Sequence, residues 1–221
     1  EITSLREDVD TDGRHANVRY TTDWLKDSSR RDFTINSIYA DKDGNLFDPN
    51  GGAKDIEEGK VIFIGNADNR IQEDYLRILR YVRFFINYSN HPHNSSVKKS
   101  IKQNIAGVAN LSKERLMSEL KKIILSKNFL QLSKDSFSLE ILTTIFPQLV
   151  NLNNLEKMND YSKNIFKNKT FIFLISYLII DETDNANYFL FKYNLSNEDK
   201  KRIKFLIENY ELFSEKDHFN K

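Results

Sequence analysis

Apolar residues change their spacing partway along the chain. Before residue 66 they sit in short runs, at 1–6, 15–21, 45–48 and 60–65, punctuated by Asp12-Gly13 and Asp43-Gly44. Short apolar runs between Asp-Gly turn signals predict strands. Between them, residues 29–40 read as a helix, with Ser28 or Ser29 placed to cap it. From residue 69 onward apolar positions recur three and four apart, which predicts amphipathic helices. The pattern places a long helix at 70–88 and further helices at 98–108, 112–126, 128–132, 139–146, 155–166, 170–180, 185–193 and 197–215. Glycine marks the same division. All seven glycines lie at or before Gly107, and Pro147 is the one proline beyond it. Losing both breakers changes the class from mixed α/β to all-α.

Within the first long helix, residues 72–83 carry the most chemistry. On an α-helix Arg77, Arg80 and Arg83 form a cationic strip, while Tyr75, Ile78, Leu79, Val82 and Phe85 face the core. Asp74 lies one turn before Arg77. A carboxylate accepts hydrogen bonds only, and a guanidinium donates only. Cytosine and adenine each pair an exocyclic amino donor with a ring-nitrogen acceptor; guanine and uracil present the reverse. Asp74 with Arg77 therefore matches C and A, and discrimination of this kind is worth about 1–3 kcal/mol per base. Arg80 and Arg83 remain for phosphates, which guanidinium fits well. The same residues also fit a solvated helix face carrying an i,i+3 ion pair.

Composition narrows the classes. The net charge is +1, so nucleic-acid binding has to come from local patches. There is no cysteine, which excludes disulfides and thiolate metal sites and suits a reducing compartment. The longest apolar run, residues 171–180, is too short to span a membrane and reads as a buried helix. No signal peptide is visible. The chain begins at Glu1 rather than Met, already in a strand-like pattern, which leads us to expect a fragment.

Further candidates are spaced along the chain. In Arg30-Arg31-Asp32-Phe33-Thr34-Ile35-Asn36, a helix would put Asp32 and Asn36 on one face and Arg31 at its N-terminal end, where backbone N–H groups attract anions. Asp48-Pro49-Asn50-Gly51-Gly52 forms a tight turn. Ser112 is an N-cap candidate, and Arg115 and Glu119 form an i,i+4 pair. His91 and His93 lack further metal ligands and read as loop residues. Lys98/Lys99, Lys121/Lys122 and Lys200/Lys201/Arg202/Lys204 are basic clusters that read as solvated faces.

The order of these motifs resembles the class II tRNA nucleotidyltransferases, the CCA-adding enzymes, and the related bacterial poly(A) polymerases. The resemblance runs through roughly the first 125 residues, carried by residues 1–6, Asp12-Gly13-Arg14-His15, 30–36, 48–52, Glu73-Asp74 with Arg77, and 112–115. It implies an α+β protein: an N-terminally truncated nucleotidyltransferase-type mixed α/β head over residues 1–66, an all-α neck over 67–128, and an RNA-binding all-α body over 129–221. It also implies addition of CCA to tRNA 3′ ends from CTP and ATP, in tRNA processing and repair. Arg31, Asp32, Asn36, Asp74, Arg77, Arg80 and Arg83 would bind nucleotide. Glu73, Asp48, Arg115 and Glu119 would support them. Arg14, in the loop that helps the switch from C to A addition, and Glu1 would take part in catalysis.

One departure matters. The family's first motif, a Gly-Gly strand turn followed by an Asp-x-Asp pair that holds the Mg²⁺ ions, is absent: Gly51-Gly52 is followed by no such pair, and Glu1 corresponds only to a third carboxylate nearby. The fragment alone is therefore expected to be inactive, with Mg²⁺ held mainly by residues upstream. The implied partners are tRNA, ATP and CTP, with no membrane; a homo-oligomer is left open. The implied compartment is the cytoplasm, or the mitochondrial matrix in a eukaryote. The rivals are a bacterial poly(A) polymerase, which the intact Asp12–His15 loop disfavours, and a non-catalytic RNA-binding remnant.

Overall fold

The computed structural model describes residues 4–11 and 16–210. These fall into two compact units that divide between Asn110 and Leu111. Glu1 and the Asp12–His15 loop, including Arg14, lie outside the described residues.

The first unit opens with two antiparallel strands, β1 (Arg6–Thr11) and β2 (Ala16–Tyr20). Arg6 pairs with Tyr20 and Glu7 with Arg19, and the register shifts between Asp8 and Asp10. The strand expected at 1–6 is found instead at Arg6–Thr11, whereas the one expected at 15–21 is β2. Helix α1 (Trp24–Ser29) follows, capped by Asp23, whose carboxylate accepts from the amides of Leu25 and Lys26.

Residues 29–40 do not form the expected helix. The chain leaves α1 at Arg30, is extended at Phe33, makes one 3₁₀ turn at Thr34–Asn36, and enters β3 (Tyr39–Ala40), which pairs with β4 (Leu46–Phe47). Phe33 forms a single antiparallel bridge to Phe63. It is flanked by Thr34 N–H donating to the Ile62 carbonyl and Ile64 N–H donating to that of Asp32, both at 3.0 Å. The predicted strand at 60–65 is reduced to this contact. The cause is the core. Phe33 is fully buried, with ring centroids 4.7 Å from Phe63 and 5.1 Å from Phe84. An extended residue aims that ring where a helical one would not, and burial of a large aromatic outweighs weak local helix preference.

The tight turn at Asp48–Gly52 leads into α2 (Gly52–Glu57). Asp48 caps it, accepting from the amides of Gly52 at 2.8 Å and Ala53 at 2.9 Å. Gly51 adopts φ +70°, and a Cβ on Gly52 would collide with the Thr34 carbonyl. Thr34 Oγ1 donates to Asp55 and Asn50 Nδ2 donates to Ser37, so this turn packs directly on the 3₁₀ segment.

The long helix expected at 70–88 is two helices, α3 (Ala67–Glu73) and α4 (Leu76–Tyr88). Asp74, at φ −156° and ψ 103°, interrupts them. Ile78, Leu79 and Val82 are fully buried as predicted, with Tyr81, Phe84 and Ile86 added, while Tyr75 and Phe85 are half-buried. Helix α5 (Ser95–Asn104) packs against α3 and ends in a 3₁₀ turn at Ile105–Asn110. His91 and His93 are bound by protein groups, the Glu58 carbonyl and the Tyr81 hydroxyl.

The second unit contains α6 (Lys113–Ile124), α7 (Ser136–Ile145), α8 (Asp160–Lys167), α9 (Phe171–Ile179), α10 (Asn185–Lys192) and α11 (Asn197–Glu208). Ser112, Asp135, Asn159, Thr170 and Ser196 cap five of them through side-chain oxygens. Helix α9 touches α6, α10 and α11, which accounts for its apolar residues all round. No helix among the described residues is long and apolar enough to cross a membrane.

Candidate nucleotide-binding site

Three segments of the first unit meet around residues 27–32: the end of α1, the chain leaving it, and α3–α4. At the centre lies Asp27, a residue not singled out by the sequence pattern. Its carboxylate is fully buried and accepts six hydrogen bonds. Oδ1 accepts from the Arg6 amide (2.9 Å) and from Nε (2.9 Å) and Nη2 (2.6 Å) of Arg30. Oδ2 accepts from Nε (3.1 Å) and Nη2 (2.9 Å) of Arg31 and from the Tyr39 hydroxyl (2.8 Å). Burial alone would raise this carboxyl, but the Arg6 amide, the two guanidiniums and the Tyr39 hydroxyl outweigh it and hold it down to about 2. Burial, and donation to Asp27, push the Tyr39 hydroxyl up to about 12.

Arg31 therefore does not sit at a helix N-terminus as expected. It follows the C-terminal end of α1, and its orientation comes from Asp27 rather than from a helix dipole. The Asp32–Asn36 contact survives on a different backbone, with Asn36 Nδ2 donating to Asp32 Oδ1 at 2.7 Å. Asp32 is 4% exposed. Its other oxygen accepts from Arg80 Nε. Burial pushes the Asp32 carboxyl up, and Arg80 more than reverses this, holding it below the usual range.

The arginines of α3–α4 close the site from the other side. Arg70 donates to the carbonyls of Ser29 (2.9 Å) and Arg31, and to Glu73 (2.6 Å). Arg77 donates to the Arg70 carbonyl (2.7 Å), Glu73 (2.5 Å) and the Arg30 carbonyl (3.3 Å). Arg70, Arg77 and Arg80 thus tie this segment to residues 29–32. Arg70 went unrecognised in the sequence because its acceptors are mostly backbone carbonyls some 40 residues distant. Arg83 lies over the Phe84 ring, 4.5 Å from its centroid.

Asp74 stays close to Arg77 by another route than a continuous helix. Arg77 N–H donates to the Asp74 carbonyl at 3.0 Å, and the Asp74 carboxylate accepts from Leu76 N–H at 3.1 Å. This is a local aspartate turn that starts α4. In the second unit, Ser112 Oγ accepts from the Arg115 amide, and Glu119 is buried and paired with Lys122. Among the described residues no group of three or more His, Cys, Asp or Glu could hold a metal ion.

Residues 1–62 match the family described as the poly A polymerase head domain, and residues 94–152 match the probable RNA and SrmB-binding site of polymerase A. The chain is 41% identical over 213 residues to mitochondrial CCA tRNA nucleotidyltransferase 1 of Mus musculus, covering 95% of this chain and 48% of that protein. It is 36% identical over 126 residues to the CCA-adding enzyme of Geobacillus kaustophilus, covering 56% of this chain and 31% of that one. The chain spans about half the length of the first of these relatives. Among solved structures, the fold resembles a CCA-adding enzyme in apo form II, with TM-score 0.67 and 21% identity over 96% of this chain and 53% of the other. It also resembles the Bacillus stearothermophilus CCA-adding enzyme in complex with CTP, with TM-score 0.64 and 24% identity over 93% and 50%. With the motif order, these likenesses place residues 1–62 in the poly A polymerase head-domain family and make the chain a relative of the class II tRNA nucleotidyltransferases.

Proposed function

We propose that this chain is the nucleotide-selecting part of a tRNA nucleotidyltransferase that adds CCA to tRNA 3′ ends from CTP and ATP. The observation that carries the reading is the clamp on Arg77. Glu73 and two backbone carbonyls fix its guanidinium one short turn from Asp74. A donor and an acceptor held at fixed spacing can pair with the C and A edges and mismatch G and U. Fixed geometry matters because the binding energy is then not diverted into ordering side chains. Arg31 takes the phosphates, and Arg83 is a further contact. Asp32 and Arg80 tie α4 to the phosphate-side segment, and Asn36 steadies Asp32. Asp48 holds the turn behind that segment.

Residues 1–66, 67–128 and 129–221 act in this reading as head, neck and RNA-binding body, with Arg115 and Glu119 supporting the neck. The names of the relatives support tRNA as the acceptor, and a relative named as mitochondrial agrees with the matrix as the compartment. Mg²⁺ would neutralise the triphosphate in such a reaction. The described residues do not form a site for it, so the steps assigned here are binding and selection only.

The test uses the full-length gene product. tRNA ending at its discriminator base is incubated with each labelled nucleoside triphosphate and with all four together. Addition of two C and one A supports the proposal. A long A tail would identify a poly(A) polymerase, and RNA binding without any incorporation would identify a non-catalytic remnant.

A further inference from the structure

The Asp27 carboxylate accepts six hydrogen bonds, and the base-selection reading does not use it. Its two oxygens are shared out evenly. One takes the Nε–Nη2 edge of Arg30, the other the Nε–Nη2 edge of Arg31. Both guanidiniums are fixed by the same edge, and each keeps Nη1 outside the fork. The carboxylate is itself anchored from two other elements, by the Arg6 amide at the start of β1 and by the Tyr39 hydroxyl in β3. Arg31 also stacks 6.0 Å from the Tyr39 ring centroid.

The charge of this cluster does not balance. One carboxylate faces two guanidiniums whose side chains are 24% and 29% exposed. A cluster serving stability alone would be better matched by a single arginine, since a second partly buried cation is costly without an anion. An arrangement that leaves one positive charge over, spread on two partly exposed guanidiniums, suits a polyphosphate.

We propose that Asp27 is a positioning residue that sets Arg30 and Arg31 as a paired cradle for the triphosphate, so that Arg30 joins Arg31 as a phosphate-binding residue. This rests on the nucleotide-binding reading above. Asp27 itself touches no phosphate. It acts by fixing the direction of two guanidiniums that would otherwise sample many rotamers.

The experiment titrates ATP, CTP, GTP and inorganic triphosphate into the wild-type protein and into Arg30→Met, Tyr39→Phe and Asp27→Asn, with a thermal melt of each. Wild type is expected to bind inorganic triphosphate. Arg30→Met should weaken ATP and inorganic triphosphate by the same factor, about tenfold for the loss of one charge-assisted contact, with the ATP-to-GTP preference unchanged. Asp27→Asn should do the same to a larger extent, and Tyr39→Phe to a smaller one. Should Asp27→Asn fail to fold, Arg30→Met decides the question. The proposal is overturned if Arg30→Met binds inorganic triphosphate as wild type does, if base preference is lost together with affinity, or if wild type binds ATP but not inorganic triphosphate. Wild type that binds no nucleotide at all overturns instead the reading on which the cradle rests.

Discussion

Arg80 donates to Asp32 across 48 residues of chain, joining the middle of α4 to the segment that leaves α1. Asp32 is buried on the inside of this contact, whereas Arg80 is 29% exposed. The two partners are therefore unequal. Arg80→Met strands a buried carboxylate, while Asp32→Asn leaves a cation that can reach water. Chemical denaturation is expected to show Arg80→Met costing about 3 kcal/mol and Asp32→Asn clearly less. Equal losses would mean that Asp32 is not desolvated in the folded protein.

In the proposed reading Asp74 and Arg77 carry the base choice. Asp74→Ala or Arg77→Ala should relax preference for CTP and ATP over GTP and UTP by about 1–3 kcal/mol while weakening triphosphate binding less. Competition binding with all four nucleotides reads this directly. A uniform loss across the four would remove the base-reading role.

Glu73 should act through Arg77, since its carboxylate bridges Arg70 and Arg77 at 2.6 and 2.5 Å. Glu73→Gln keeps the size and removes the charge. Nucleotide competition should show blunted base preference, by less than Arg77→Ala does, with little change in melting temperature. An unchanged preference would leave the backbone carbonyls of Arg70 and Arg30 as sufficient to aim Arg77.

The Asp27 carboxyl lies at about 2 in the folded protein against 3.8 for an aspartate free in water, as in the unfolded chain. A carboxylate lowered on folding stabilises above its unfolded value and loses that contribution as pH falls toward its folded one. The contribution is about 2 kcal/mol at neutral pH, lost between about pH 4 and pH 2. Denaturation of wild type and Asp27→Asn across this window should show the gap between them narrowing as pH falls. A constant gap would contradict the depressed ionisation of Asp27.

Gly52→Ala should destabilise the first unit. Its Cβ would meet the Thr34 backbone carbonyl rather than a movable side chain. Overpacking of this kind costs about 1–3 kcal/mol. A denaturation midpoint equal to wild type would show that the turn at Asp48–Gly52 can move away from the 3₁₀ segment.

The helical second half was legible because each signal there is local. Polar caps, apolar residues three and four apart and the absence of glycine act within one or two turns, and Ser112 caps as its position suggests. The order of motifs likewise needs no folding to be read. The break at Asp74 was missed because apolar spacing runs on across it, from Ile71 to Ile78 and Leu79, and neither glycine nor proline marks it. The one available signal was Asp74 itself, a residue able to begin a helix two positions before Leu76. Residues 29–40 were misread because the deciding interaction, Phe33 against Phe63 and Phe84, is 30 to 51 residues distant in sequence.

By itself the sequence determined which residues carry charge, which stretches are helical beyond residue 110, and the family to which the motif order belongs. These follow from residue type and short-range spacing. Only the tertiary structure decided what Asp27 does. In sequence it is one acid beside two arginines, fit for a solvated ion pair. Its burial depends on Arg6 and Tyr39, which lie 21 and 12 residues away, and burial is what turns a weak pair into a fixed node. The same holds for Arg70, Arg77 and Arg80. Helical periodicity put two of them on a cationic strip, but their acceptors at 29–32 exist only once two distant segments have packed together.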